Sequence, residues 1–277
     1  MAQNLPQLKR RIKTANNISQ VARSMEMISA SKIKRAQAAV ENNKPYAQRI
    51  VDLTGSILRH VDSEHFKHAY IQGNESNKAL ILIISSDKGL CGSLNTNLFR
   101  KLLETDDKNR KIIALGRKGA QFAVKASGEF ITGLNLGTTL PDYSIVFRLI
   151  EIINLEYLAG NVGQVQILYN EFSSVFSQTP VLKTILPIQV TSEEKELPYL
   201  FEPKIDEIVE SLMPYYLEAV IYNSILEAYT SEQAARMVAM QNAKNNAMDI
   251  ADYLTLSYNK SRQEKITSEL LALSSTN

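Results

Sequence analysis

The sequence has few of the residues that break regular structure or that staple small folds together. Its 277 residues include 11 glycines, eight prolines and one cysteine. So few turn residues argue against a β-sandwich or a barrel and favour long helices. The single cysteine excludes an intrachain disulfide framework and a cysteine-based structural zinc site.

No segment of the sequence stays apolar for long. The longest aliphatic run, Ala79 to Ile84, has six residues, far fewer than the roughly 20 that span a bilayer. The opening residues MAQNLPQLKRRIK lack the apolar region of a secretory signal. We therefore expect a soluble, cytosol-facing protein that reaches a membrane only through a partner.

The overall charge is nearly balanced, but its distribution is not. The chain has a net charge of +2, yet residues 1–59 carry +8 and residues 205–277 carry −5. Two antiparallel helices of opposite sign would attract each other, and the basic segment would also suit an acidic partner. Both interpretations stay open at this point.

The spacing of apolar and small residues predicts one long helix at each end of the chain, over residues 5–59 and 206–273. Pro45 predicts a kink in the first helix, with a complete break as the alternative, and Pro214 predicts a bend in the second. One row of the second helix alternates four- and three-residue steps, which is the pattern of a coiled-coil seam that needs a partner helix. Gln233 and Arg236 interrupt the apolar row, which is unusual for a seam kept only for stability. The row consists of Ile208, Leu212, Tyr215, Ala219, Tyr222, Leu226, Tyr229, Gln233, Arg236, Met240, Ala243, Ala247, Ile250 and Leu254.

The segment between the long helices alternates short apolar runs with amphipathic ones, which predicts a small α/β domain with a largely parallel sheet. The expected strands are 79–85, 111–115, 129–132, 165–169 and 181–187, and the expected helices are 94–104, 117–126 and 143–158. The fold class is therefore α/β, with one α/β domain inserted between two terminal helices that pair as an antiparallel coiled coil. The expected segments are a helix at 1–59, a connector at 60–76, the α/β domain at 77–200 and a helix at 201–277.

Little in the sequence points to catalysis. The strand–loop–helix at Asp87 to Ser93 has two glycines, but it matches neither GxxxxGK[ST] nor GxGxxG, so a tight turn is favoured over a nucleotide loop. Cys91 is the only possible cysteine nucleophile, and nothing places a histidine beside it. His65 and His68 have a spacing that fits a metal site on a helix, but a solvated helix end is favoured. We expect no catalytic, metal-binding or cofactor-binding residue.

Four segments resemble the gamma subunit of the rotary F-type ATP synthase. ISQVARSMEMISASK, from Ile18 to Lys32 and followed by Arg35-Ala36-Gln37, resembles that family's first helix. SDKGLCGSLN, from Ser86 to Asn95, resembles its strand–turn motif, with Ser93 where glycine is common. SEQAARMVAM, from Ser231 to Met240, and YNKSRQEKITSEL, from Tyr258 to Leu270, resemble its C-terminal signature. The resemblance covers essentially the whole chain in the family's order.

The resemblance implies a central rotor shaft without an active site. In that family the coiled coil stands inside a ring of alternating alpha and beta subunits. A Rossmann-like α/β domain lies at its base, against epsilon and the membrane-embedded ring of c subunits. Proton flow turns the c-ring and the shaft, and each catalytic site on beta meets a different face in turn. The implied location is peripheral, on the cytoplasmic face of a bacterial plasma (inner) membrane. No transit peptide precedes the first helix, which favours a bacterial origin.

The resemblance also implies partner contacts at particular positions, and it assigns no catalytic role to the turn that contains Cys91. Positions near the acidic loop of beta are matched by Met25, Lys32, Lys34 and Arg35. Polar contacts to the surrounding ring are matched by Arg236, Gln263 and Thr267. The side that meets the c-ring and epsilon is matched by Tyr199 and Glu202.

Two other functions would account for the same sequence without the resemblance. An enzyme built on the α/β domain would bind ATP as the isolated chain. A helical protein that binds DNA or a scaffold through its basic arm would show salt-sensitive affinity for nucleic acid.

Overall fold

The structure is a computed structural model that describes residues 5–60, 68–105, 109–189 and 201–274. Among these residues, no helix has both the length and the apolar character needed to span a membrane. The elements in chain order are α1 (Leu5–Leu58), α2 (Ala69–Gln72), β1 (Ala79–Ile84), α3 (Leu94–Glu104), β2 (Arg110–Leu115), α4 (Arg117–Ala123), β3 (Glu129–Leu134), α5 (Ser144–Leu158), β4 (Gln164–Phe172), β5 (Gln178–Leu186) and α6 (Ile205–Ser274).

The predicted helices and strands are all present, and several end where expected. The short helix α2 was not predicted, and α4 ends at Ala123 rather than at residue 126. Strands β4 and β5 are longer than predicted, because they pair with each other out to Phe172 and Gln178. This extension carries the polar residues Asn170 and Glu171, which gave no apolar signal in the sequence.

Both prolines predicted to disturb the long helices lie inside continuous helix. Helix α1 runs through Pro45 and α6 runs through Pro214, so neither helix is broken. Each proline leaves the carbonyl four residues before it without its usual helical donor. Pro45 and Pro214 are exposed, as are Glu41 and Glu210 at those earlier positions, so water can reach the carbonyls.

The five-stranded sheet has the order β3-β2-β1-β4-β5. Strand β1 pairs in parallel with β2 and β4, β2 pairs in parallel with β3, and β4 pairs antiparallel with β5. The prediction of a largely parallel sheet is therefore confirmed. The chain moves to one side of β1 for β2 and β3 and then crosses to the other side for β4, so the strand order reverses between β1 and β4.

Strand β1 is buried along its whole length because helices cover both faces of the sheet. Leu80, Leu82 and Ile84 belong to a large core that includes residues of α1, α5 and α6. Ile81 and Ile83 belong to a second core with residues of α3 and α4. The continuous apolar run in the sequence thus reflects a strand between two layers of helices.

The predicted seam of α6 is only partly correct. Leu212, Ala219, Leu226 and Tyr229 are buried as expected, whereas Tyr215 is about half exposed. Residues beside the row are also buried, among them Leu217, Val220, Ile221 and Ile225. In this stretch α6 shares its core with the sheet as well as with α1, so it buries more than the single face that a coiled-coil seam describes.

The described residues group into two units, which we consider separately. The two-helix unit contains the part of α1 up to Ala30 and the part of α6 from Arg236 onward. The α/β unit contains residues Ser31–Ala235. The domain boundaries predicted from the sequence stay predictions.

Gly116, between β2 and α4, should not tolerate any side chain. Its φ is +104°, and a Cβ there would lie 2.1 Å from the carbonyl oxygen of Ser85. We expect Gly116→Ala to lower the free energy of unfolding by at least about 2 kcal/mol, measured by denaturant unfolding of the full chain.

Gly55→Ala is the matched control, because Gly55 lies inside α1 and a Cβ there meets nothing within 4 Å. Alanine should stabilise this helical position by about 0.5–1 kcal/mol. Equal effects of the two substitutions would contradict the geometry at Gly116.

Candidate functional site

The two-helix unit holds its helices together through small buried residues and one ion pair. Ala15 and Ala22 of α1 and Ala247 and Ala251 of α6 are buried. The ammonium of Lys244 donates to a carboxylate oxygen of Glu26 at 2.8 Å, with both side chains about one-fifth exposed. Alanines at these positions allow two helices to approach closely. Here too the buried residues differ from the predicted row, because Ala251 lies outside the row and is buried, whereas Ile250 belongs to it and is about half exposed.

The outer surface of the two-helix unit carries several large apolar residues. Its large exposed hydrophobic residues are Ile18, Val21, Met27, Ile28, Met248, Ile250, Tyr253, Leu256, Ile266, Leu270 and Leu271. At 100° per residue the α6 members spread over about half of the helix circumference rather than one stripe. Large apolar residues gathered on the outside of a two-helix unit are a candidate surface for contact with other proteins. Its spread indicates that partners lie on several sides.

Basic side chains accompany this apolar surface. Lys9, Arg10, Arg11, Lys13 and Arg23 are all exposed on α1. Arg10 and Arg11 also border a groove of about 690 Å³ between the two helices. In the ion pair between the helices, the acidic residue Glu26 lies on the basic helix α1, and the basic residue Lys244 lies on the acidic helix α6. The exposure of the basic residues favours the interpretation in which the basic helix faces an acidic partner.

The structure places the predicted contact residues in several different environments. Lys34 and Arg35 are exposed and Met25 is half-buried, whereas the Lys32 ammonium donates to the carbonyl of Thr138 in the same chain. Arg236 is only 8% exposed.

The remaining members of that set lie near the ends of α6 or before it. Gln263 and Thr267 are exposed on α6, and the Thr267 hydroxyl donates to the Gln263 carbonyl at 2.9 Å. Glu202 is exposed just before α6, and Tyr199 lies outside the described residues. Their contacts with partners stay predictions.

The edge of the sheet at the C-terminal ends of β1 and β4 is where α/β folds of this type usually bind ligands. Here α6 passes over that edge. The Ser231 hydroxyl donates to the Asn170 carbonyl at the end of β4 at 2.9 Å, and Thr230, Ser231 and Ala234 are fully buried. The C-terminal end of β4 is therefore covered by the chain's own helix, which weighs against the alternative of an ATP-binding enzyme built on this domain.

The turn after β1 follows the predicted tight geometry with one difference. Gly92 has a φ of +60°, but the other left-handed residue is Leu90, at +64°, and not Gly89. Cys91 is buried in this turn, where the Asn95 amide donates to its sulfur at 3.3 Å. These contacts give Cys91 a structural place within the turn.

The histidines that raised the question of a metal site have other contacts. His68 Nδ1 accepts the Tyr70 backbone N–H at 3.2 Å at the start of α2, and burial lowers the pKa of the His68 side chain. His65 lies outside the described residues. Across the described part of the chain, no group of three or more His, Cys, Asp or Glu residues could hold a metal ion.

A partly buried carboxyl group that the sequence did not single out lies where α6 meets β4. Glu227 accepts from the Asn223 amide through Oε1 at 2.9 Å, and its Oε2 atom is buried. Burial raises the pKa of Glu227, and the Glu171 carboxylate raises it further, against opposing hydrogen bonds from Asn223 and Tyr169. In the sequence Glu227 is a single acidic residue in a helical pattern, and nothing there indicated that its carboxyl group packs against β4.

Glu227 should make the stability of the chain fall as the pH rises. Its folded-state pKa lies above the unfolded value, so the penalty for burying the charge is absent below the unfolded pKa and complete above the folded one. We expect Glu227→Gln to raise the melting temperature at about pH 8 by about 2–4 °C, or about 1 kcal/mol, and to have little effect at about pH 4.

Glu218→Gln is the control for this experiment. Glu218 lies on the same helix and accepts the Tyr143 hydroxyl at 2.8 Å. A pH-independent gain at Glu227, or an equal pH-dependent gain at Glu218, would contradict the prediction.

Comparison with known proteins gives a consistent result. A family model described as ATP synthase matches residues 4–276. The ATP synthase gamma chain of Dehalococcoides mccartyi strain CBDB1 is 38% identical and the alignment covers 97% of this chain and 96% of the relative. The gamma chain of Roseiflexus castenholzii strain DSM 13941 / HLO8 is 36% identical with the same coverage. That of Legionella pneumophila strain Corby is 32% identical and covers 95% of each chain.

Solved structures show the same fold. The rotor of the Euglena gracilis mitochondrial ATP synthase matches with a TM-score of 0.68 at 19% identity, over 95% of this chain and 98% of that one. The central stalk and c-ring structure of the Tetrahymena thermophila mitochondrial ATP synthase matches with a TM-score of 0.61 at 20% identity, over 80% and 99%.

A pair of long helices with large apolar residues on its outer surface, in a chain whose α/β unit has the end of β4 covered by α6, is typical of a subunit of a larger assembly. The matches over nearly the full length specify which one. The chain belongs to the ATP synthase gamma-chain family.

Proposed function

We propose that this chain is the central rotor shaft of a bacterial proton-translocating F-type ATP synthase. It transmits rotation of the c-ring to the catalytic sites on the beta subunits and so couples proton flow to ATP synthesis. Its partners are the alpha, beta, epsilon and c-ring subunits. It reaches the membrane only through them, on the cytoplasmic face of the inner membrane. The observation that carries the proposal is the apolar outer surface of the two-helix unit in a member of this family.

The chain acts in this proposal without a catalytic site of its own. A shaft that presents different side chains on different sides cannot match three chemically identical beta sites at once. It therefore favours a different conformation, and a different nucleotide affinity, at each site. Catalysis takes place on beta, and this chain determines which site is in which state.

The two-helix unit has the composition that such a role requires. No glycine occurs in α1 before Gly55 or in α6, and both helices are continuous. A helix without glycine resists local unfolding better than one that contains it.

The exposed Lys34, Arg35, Gln263 and Thr267 support the proposed polar contacts with alpha and beta, whereas Arg236 has little exposed surface to offer. We also propose the division at residues 59, 76 and 200 as the functional segments of the chain.

The direct experiment is reconstitution. Alpha and beta are expressed with and without this chain, and the ATPase activity of the purified complexes is measured. The proposal requires a stable complex that contains the chain and has higher activity than alpha and beta alone. ATP binding by the isolated chain, without assembly, would instead support an enzyme built on the α/β unit.

Charges placed on the apolar outer surface should block assembly without unfolding the chain. Ile28 and Leu256 are both more than half exposed, so Ile28→Lys with Leu256→Lys costs the chain itself little stability, within about 0.5 kcal/mol. In the complex the two ammonium groups would be buried against a partner. We expect at least about tenfold less assembled complex by size-exclusion chromatography.

The control for this variant is Phe176→Lys. Phe176 is 82% exposed between β4 and β5, outside the two-helix unit. It introduces one lysine charge, against two in the double variant, on an apolar residue that is more exposed than either Ile28 or Leu256. If the double variant assembles as well as this control, the outer surface of the two-helix unit is not the interface.

A further inference from the structure

Asp87 connects three separate parts of the α/β unit. It lies three residues after the end of β1 and is 8% exposed. One carboxylate oxygen accepts the backbone N–H of Arg117, the first residue of α4, at 2.8 Å. The other accepts the backbone N–H of Gly137 at 2.7 Å. Gly137 lies in the β3–α5 loop, which we define as residues 135–143.

The β3–α5 loop is bonded in turn to both long helices. The carbonyl of Thr138, next to Gly137, accepts from the ammonium of Lys32 on α1. The same carbonyl accepts from the hydroxyl of Tyr229 on α6 at 3.4 Å. Through two adjacent residues, Gly137 and Thr138, the loop is therefore bonded both to Asp87 and to the two long helices. All these residues belong to the α/β unit.

These bonds supply something that the apolar core does not. Contact between the sheet and the long helices is largely hydrophobic, and hydrophobic contact resists separation but has no directional preference. Hydrogen bonds depend on direction, and those to ionised groups are the stronger ones. Two bonds to the Asp87 carboxylate and one from the Lys32 ammonium therefore oppose sliding of the sheet around the helices.

We propose that Asp87 is a positioning residue that fixes the rotational angle of the sheet relative to α1 and α6, through the β3–α5 loop. This inference rests on the proposed function, because a fixed angle matters only if torque passes between the sheet and the long helices. Without the connection, the sheet turns partly around the helices under load. Proton flow and ATP turnover are then less tightly linked, although every subunit is present.

The test uses complete ATP synthase in lipid vesicles and compares Asp87→Asn with the wild type. Asparagine has the same shape, but it turns one acceptor into a donor facing a backbone N–H. The measured quantity is the initial rate of ATP-driven proton pumping divided by the rate of ATP hydrolysis in the same vesicles. We expect this ratio to fall at least about twofold, with hydrolysis per assembled complex unchanged or raised.

Asp142→Asn is the matched control. Asp142 is exposed and its carboxylate accepts the backbone N–H of Ser144 at 2.8 Å, at the start of α5. Asparagine also accepts a backbone N–H two residues further on in such an Asx turn, and Asp142 makes none of the bonds at Gly137 and Thr138. A role in stability alone would lower the amount of assembled complex and leave the ratio at the control value, which would overturn the inference.

Tyr229→Phe keeps the experiment decisive if Asp87→Asn does not assemble. Tyr229 is 2% exposed, so its hydroxyl meets no partner subunit, and phenylalanine preserves the packing of the ring. The ratio should fall here too, by a smaller factor because the bond is long. An unchanged ratio would overturn the inference. Wild-type vesicles that hydrolyse ATP without pumping would instead reject the proposed function itself.

Discussion

The structure depends on a shared hydrophobic core in which α6 covers one face of the sheet. Strand β1 is apolar on both sides, so each side must be covered. Helices α3 and α4 cover one side, and α6, with α1 and α5, covers the other. The middle of α6 is therefore a structural part of the α/β unit and not a separate rod to which that unit is attached. The same placement covers the C-terminal end of β4.

Local sequence patterns predicted the elements well, because each pattern arises from contacts that the element itself makes. The apolar run of β1 and the amphipathic pattern of α5 gave the observed bounds to within one residue, and the bounds of α3 were as predicted. The seam of α6 was less accurate, since a one-dimensional spacing describes one buried face. Tyr215 and Ile250 fit the spacing and are exposed, whereas Val220 and Ile225 fall outside it and are buried. Burial on a second face depends on which element packs there, and spacing carries no information about that.

The candidate site was predictable where it follows from composition and motif, and not where it follows from tertiary contacts. The basic character of the first helix was evident from the sequence, and the structure keeps its charges exposed on the two-helix unit. Lys32 was expected to face a partner, but its ammonium bonds to a loop more than 100 positions away. Asp87 and Glu227 were missed as well. A carboxylate that binds distant backbone groups, or one buried against a strand end, looks like any other acid in the sequence.

The bonds around Asp87 share one chemical property with an evolutionary consequence. Asp87 binds the backbone N–H groups of Arg117 and Gly137, and Lys32 and Tyr229 bind the backbone carbonyl of Thr138. Main-chain groups are the same in nearly every residue, so positions 117 and 138 can change their side chains without losing these bonds. Paired substitutions, which reveal contacts between side chains in families of related sequences, would therefore leave no trace of this connection. Only the three side chains that reach the backbone are under constraint from it.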